Sequence, residues 1–143
     1  MQMAPNCIFC AIVAGEAPCT PIIEDETVMA FMDIHPANEG HCLVIPKMHY
    51  PTLFETPPEV FAAVARLVVR VSLAVQAALR PPGLNLLQAN GAAAGQSVSH
   101  VHVHVLPRRP DDGLALNWSR TAPADPAKIA AIAEQIRRHL PPA

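Results

Sequence analysis

The apolar positions between residues 57 and 80 recur with helical spacing. Val60, Val64, Leu67, Val71 and Ala78 form one stripe, and Phe61, Val68, Val75 and Leu79 form a second beside it. Thr56 is placed to cap this helix, Pro57-Pro58 suits its first turn, and Pro81-Pro82-Gly83 stops it. One sheet hides a single stripe of about 100°. The second stripe therefore points to another cover, read here as a symmetry mate, with a wide face on one curved sheet as the alternative. Upstream, "CIFCAIVAG" predicts a short helix or turn ended by Gly15, and "IIEDETVMAFMDI" predicts two short strands around an acidic tip, Glu24, Asp25 and Glu26. "GHCLVIP" predicts a third strand stopped by Pro46, because proline cannot donate to a sheet ladder. "LNLLQA" and "HVHVHVLP" predict two more, separated by the small-residue loop "NGAAAGQS", and a last helix runs from about Pro126 to His139 with Asp125 as its cap.

Composition narrows the class. A chain of 143 residues suits one domain, with no internal repeat or linker-like run to divide it. A hydrophobic content of 51% against 15% charged excludes a disordered polymer and points to a dry surface such as a subunit interface. A net charge of -2 gives no global attraction for nucleic acid, so any phosphate needs a local site. The N-terminal "MQMAPNCIFC" lacks the basic and apolar regions of a signal peptide, and Arg66 and Arg70 interrupt the most apolar stretch, which argues against a membrane span. The expected location is cytoplasmic, where Cys7, Cys10, Cys19 and Cys42 are thiols or metal ligands rather than disulfides.

The candidate chemistry lies in "GQSVSHVHVHVLPRRP". On a strand, His100, His102 and His104 share one face while Val101, Val103 and Val105 share the other. A rise of roughly 3.4 Å per residue sets neighbouring histidines about 7 Å apart and the outer pair about 13 Å apart. One zinc ion with nitrogen ligands at about 2.1 Å cannot reach all three, so the histidines divide their labour. An imidazole with a pKa near 6.5 is mostly neutral at pH 7 and offers a lone pair to phosphorus, forming a phosphoramidate that water later opens. Gly95, Gln96 and Ser97 just upstream could supply close backbone approach and donors for phosphate oxygens. On the strand alone, an exposed histidine face or a pair of metal ligands stays open beside this reading. Cys7-x-x-Cys10 suits one zinc but supplies only half of a tetrahedral site, and two buried thiols are its alternative.

"HVHVHVL" matches His-x-His-x-His-x-x with apolar x, and "CIFC", "FMDIHPANEGHCLVIPKMHY" and "NGAAAGQSVSHVHVHVLPR" accompany it in order. By these motifs the chain, from Asn6 to Arg109, resembles the histidine triad (HIT) superfamily, in its Hint-like bacterial branch. The resemblance implies a single α+β domain over residues 1–143: a mostly antiparallel sheet of about five strands, one long helix and a C-terminal helix. The core covers about 6–109, with an extension over 110–143 that includes Trp118, and the molecule is a homodimer. It also implies a hydrolase or transferase of nucleoside phosphoramidates or related AMP derivatives, acting through a nucleotidyl-histidine. In this reading His102 is the nucleophile, His104 contacts phosphate or leaving group, and His41 completes the relay, with Ser97 assisting. The purine nucleotide would meet Ile8, Phe9, Ile12, Phe31, Asp33, Ile34, Asn90, Gly95, Gln96, Ser97 and Val98, with Asp33 accepting from the ribose hydroxyls. Asp33 before "IHPAN" also suits a turn. Ala89 stands where many relatives have a first asparagine. Zinc-bearing relatives complete the Cys7–Cys10 pair with the equivalents of His49 and His100, which implies a closed, structural zinc site. The alternatives are a Fhit-like dinucleoside polyphosphate hydrolase and a nucleotide-binding scaffold.

Overall fold

The computed structural model describes residues 3–115 and 124–143. Five strands form one sheet in the order β1-β2-β3-β5-β4, and every neighbouring pair is antiparallel. The strands are β1 (Pro21–Glu24), β2 (Val28–Met32), β3 (Cys42–Pro46), β4 (Gly83–Leu87) and β5 (Val103–Arg108). Helix α1 (Ile8–Val13) precedes the sheet, α2 (Pro58–Leu79) connects β3 to β4, and α3 (Pro126–Arg138) ends the chain. Trp118 lies outside the described residues.

β2 and β3 are almost wholly buried because both faces of the sheet are covered. Val28, Ala30, Cys42, Val44, Val103 and Val105 pack on α2, while Met29, Phe31, Leu43 and Ile45 pack with Phe9 of α1 on the other face. Alternation along each strand thus serves two apolar layers, which is why these strands read as continuous hydrophobic runs.

α2 corrects the two-stripe expectation. Val64, Leu67, Val68, Val71 and Val75, drawn from both stripes, form one buried face on the molecule's own sheet. The large apolar residues left exposed are Val69 and Leu73, which belong to neither stripe, joined by Ala78 of the first stripe, while Arg66 and Arg70 face solvent. Thr56 does not cap α2. It ends the 3-10 turn Leu53–Glu55, its hydroxyl donates to the Thr52 carbonyl, and Pro57 occupies the N-cap without a side-chain bond. Asp125 caps α3 as expected, accepting from the Ala127 N–H.

The histidine stretch also departs from the simple strand. Ladder pairing begins only at Val103, so His100 and His102 precede β5 and His104 lies inside it, opposite Leu43 and Leu87. Because β5 inserts between β3 and β4, these residues come beside the start of β3 at the centre of the sheet.

Candidate functional site: two histidine clusters beside an apolar cavity

Cys7 caps α1, its sulfur accepting from the Cys10 N–H, and Cys10 lies in the first turn. This brings both sulfurs against two imidazoles from elsewhere in the chain. Cys7 Sγ is 3.4 Å from His100 Nδ1, Cys10 Sγ is 3.4 Å from His49 Nδ1 and 3.6 Å from His100 Nδ1, and the two Nδ1 atoms are 3.2 Å apart. Zinc bonds of about 2.05 Å to nitrogen and 2.3 Å to sulfur give tetrahedral edges of about 3.4 Å between nitrogens and 3.6 Å from nitrogen to sulfur. The observed spacings fit that figure. His100 Nε2 donates to the Pro46 carbonyl at 2.8 Å, which leaves Nδ1 with its lone pair toward the cluster. Burial pushes the Cys10 thiol above its ordinary value and His100 down to about 4, and a cation among the four ligand atoms counteracts the first of these.

The other histidines form a chain whose tautomers follow from main-chain partners. His102 Nδ1 donates to the His100 carbonyl at 2.7 Å, so Nε2 carries the free lone pair. The Ala37 N–H donates to His41 Nδ1 at 3.1 Å, which fixes the His41 proton on Nε2. From there it reaches His104 Nδ1 at 2.9 Å, with Asp33 Oδ2 at 3.5 Å. His104 consequently carries its own proton on Nε2. Asp33, His41 and His104 offer atoms close enough for a metal, but the proton on His41 Nε2 makes that atom a donor. Burial holds His41 and His102 below the usual imidazole range and His104 at about 4, so all three are neutral at pH 7.

His102 and His104 form one end of a cavity of about 550 Å³. Ile8, Phe9, Ile12, Phe31, Leu43 and Val98 make its apolar walls, and Asp33, Ile34 and Ser97 reach it as well. Phe9 stands edge-on to His102 at 5.2 Å and to Phe31 at 5.4 Å, locking both walls. Asp33 fits the turn reading and also borders the cavity. Its Oδ1 accepts from the His35 N–H and builds the turn, while Oδ2 faces His41.

Three predicted contacts are not on the walls. Asn90 accepts from the Leu53 N–H and exchanges bonds with Gln88, so its amide ties two loops together. The Gln96 amide donates to the Pro51 and Val98 carbonyls, and its oxygen accepts from the Gly91 N–H. Gly95 closes the turn Ala92–Ala94 with φ +88°. These residues shape the loop that delivers Ser97 and Val98. Conversely, Pro18, Cys19, Met32 and His35 line the cavity without a signal in the sequence. The His102 and His104 rings stand 4.9 Å apart between centroids, edge to face.

Residues 14–111 match the HIT domain family. An adenylylsulfatase from Arabidopsis thaliana, HINT3, is 43% identical over 140 residues, covering 94% of this chain and 70% of that protein. The adenosine 5'-monophosphoramidase hnt1 of Schizosaccharomyces pombe is 40% identical over 132 residues, covering 92% and 96%. Among solved structures, a HIT family protein from Bacillus anthracis superposes with a TM-score of 0.91 at 37% identity, covering 97% of this chain and 100% of that one. A zinc-bound histidine triad protein from Mycobacterium smegmatis gives 0.73 at 38% identity, covering 94% and 98%.

Proposed function

The chain belongs to the HIT domain family, and from that premise we propose that it cleaves nucleoside phosphoramidates or related adenylated compounds through a nucleotidyl-histidine on His102. The observation that carries this reading is the His102 ring: its Nδ1 proton is held by the His100 carbonyl, and the residue lines a cavity with apolar walls and one carboxylate. That cavity suits a purine nucleoside, with Asp33 toward the ribose hydroxyls and Ser97 toward phosphate oxygens. His102 Nε2 attacks the α-phosphorus. The bond from phosphorus to the leaving nitrogen breaks, its electron pair departs with that nitrogen, and a proton supplied by solvent neutralises it beside the His104 Nε2–H, which His41 orients. Water then adds hydroxide to phosphorus, the electron pair of the N–P bond returns to His102, and the second water proton is released to solvent. The relatives named for phosphoramidase and adenylylsulfatase activity support this class of substrate.

In this reading Cys7, Cys10, His49 and His100 hold a zinc ion. With four protein ligands and no open position, it would be structural, pinning α1 to the segment that carries His102. The protein works as a cytoplasmic homodimer on AMP derivatives. Exposed Val69, Leu73 and Leu86, which is 53% accessible, support an apolar contact between copies. The test is turnover of adenosine 5'-phosphoramidate beside diadenosine polyphosphate. Wild type should prefer the former, and His102→Ala should lose at least about a thousandfold in kcat/KM. Full activity in His102→Ala, or no wild-type turnover, overturns the proposal.

A further inference from the structure

The loop from Asp33 to His41 carries the amide that sets the His41 tautomer, yet its outer part is exposed: Pro36, Ala37 and Glu39 all face solvent. The Ala37 N–H must nevertheless stay on His41 Nδ1 for the ring to keep its proton on Nε2. Asp33 Oδ2, at 3.5 Å from Nε2, lies beyond good hydrogen-bond distance, so the amide is the closer partner. An exposed loop tip has little packing to hold one amide on one nitrogen. The hold has to come from a side chain.

Asn38 supplies it. Its Nδ2 donates to the Pro107 carbonyl at 2.9 Å and to Asp112 Oδ2 at 2.9 Å, which uses both amide protons. Its own carbonyl accepts from the His41 N–H at 3.2 Å. One residue therefore grips the His41 main chain on one side and β5 on the other. Pro107 lies on the same strand as His104, so the tie also seats the loop against the strand whose ring His41 meets. Asp112 is a fixed post. Its carboxylate receives Arg108 Nε at 2.7 Å, Arg108 Nη2 at 2.9 Å, and the Arg109 and Leu114 N–H groups at 3.1 Å each, besides Asn38. Arg108 is braced in turn by Asn85 of β4, whose Oδ1 accepts from Nη1 at 2.9 Å. The bonds from Arg108 hold the Asp112 carboxyl well below the usual carboxylate range, so it stays an acceptor for Asn38 on acidification.

We propose that Asn38 and Asp112 are positioning residues for the reaction: they hold the Ala37 amide on His41 Nδ1 and thereby keep a donor, His104 Nε2–H, toward the substrate. This rests on the hydrolase reading above. Without the anchor, the His41 proton is free to move to Nδ1. His41 Nε2 then accepts, His104 carries its proton on Nδ1, and its Nε2 meets the substrate as a lone pair. No proton is gained or lost in that exchange. A donor is replaced by an acceptor where negative charge develops.

Asn38→Ala and the same-sized Asn38→Asp, which sets a carboxylate against Asp112, test it on the full chain. Long-range nitrogen–proton correlation spectra of the resting protein read the His41 tautomer, and turnover of adenosine 5'-phosphoramidate reads the rate. Wild type should show His41 protonated on Nε2. Both variants should shift that proton toward Nδ1 and lower kcat about tenfold or more, part of the roughly 10²–10⁴-fold that a positioned proton-transfer group contributes. KM should hold within about twofold, as for an interaction made in the transition state alone. Glu39→Ala, an exposed neighbour on the same loop, should change neither reading. A His41 tautomer that survives both Asn38 variants overturns the proposal whatever the rate does, and so does an unchanged kcat. A wild type with no turnover overturns the hydrolase reading and the catalytic role with it, while the spectra still decide whether Asn38 sets the ring.

Discussion

Gly40→Ala is the sharpest probe of how the fold holds the site. Gly40 precedes His41 with φ +89°, a left-handed conformation that costs an L-residue about 1–2 kcal/mol. An added Cβ would also stand 2.4 Å from Leu79 Cδ1 at the end of α2 and 3.2 Å from Pro107 Cγ in β5. The leucine end is flexible and the proline ring is not, so the overpacking adds about 1–3 kcal/mol. The total, roughly 2–5 kcal/mol, corresponds to a fall of about 5–15 °C in melting temperature for a domain of this size. Gly15→Ala is the matched control. It has φ +75° and nothing within 4 Å of its new Cβ, so it carries the conformational cost alone. Thermal unfolding followed by circular dichroism compares the two. If Gly40→Ala melts no lower than Gly15→Ala, the close approach of α2 and β5 does not constrain this turn.

Metal analysis should find about one zinc per chain, and Cys7→Ser with Cys10→Ser should lose the metal and lower the melting temperature; a native protein that is metal-free and fully stable ends the zinc reading. Stability should fall on acidification, because His104 is held at about 4 while an unfolded histidine titrates near 6.5. Between these values the unfolded chain binds more protons, so stability is complete above about pH 6.5 and is lost as pH falls toward 4, on the order of 2 kcal/mol by pH 5 from this group. His104→Gln should flatten that slope, and a melting temperature constant from pH 7 to 5 in wild type would contradict it. Light scattering should report a dimer at micromolar concentration, with Leu73→Glu shifting it to monomer; a monomeric wild type refutes the contact proposed for the outer face of α2.

Much of the architecture is written in short-range patterns. Helical spacing and proline punctuation mark α2, Asp125-Pro126 marks the start of α3, and uninterrupted apolar runs mark β2 and β3. The four metal-type ligands and the cavity walls from Ile8 to Asp33 follow from motifs whose residues meet in space as expected. What failed to read has a common origin in long-range geometry. Whether α2 has one broad face or two depends on the curvature of a sheet that the helix sequence does not contain. Gln96 and Asn90 look like ligand-binding amides, yet each finds main-chain partners brought by the loop around Leu53. Asn38 finds its partners, the Pro107 carbonyl and Asp112, 69 and 74 residues further along, a distance that no local pattern spans.

The bond from the Ala37 amide to His41 has a consequence for heredity as well as for chemistry. The orientation of the proton wire is written into the main chain, so nearly any residue at position 37 would preserve it. A substitution there leaves this main-chain bond in place, and proline is the one natural residue that removes its donor. The direction of the wire therefore does not depend on which side chain stands at position 37.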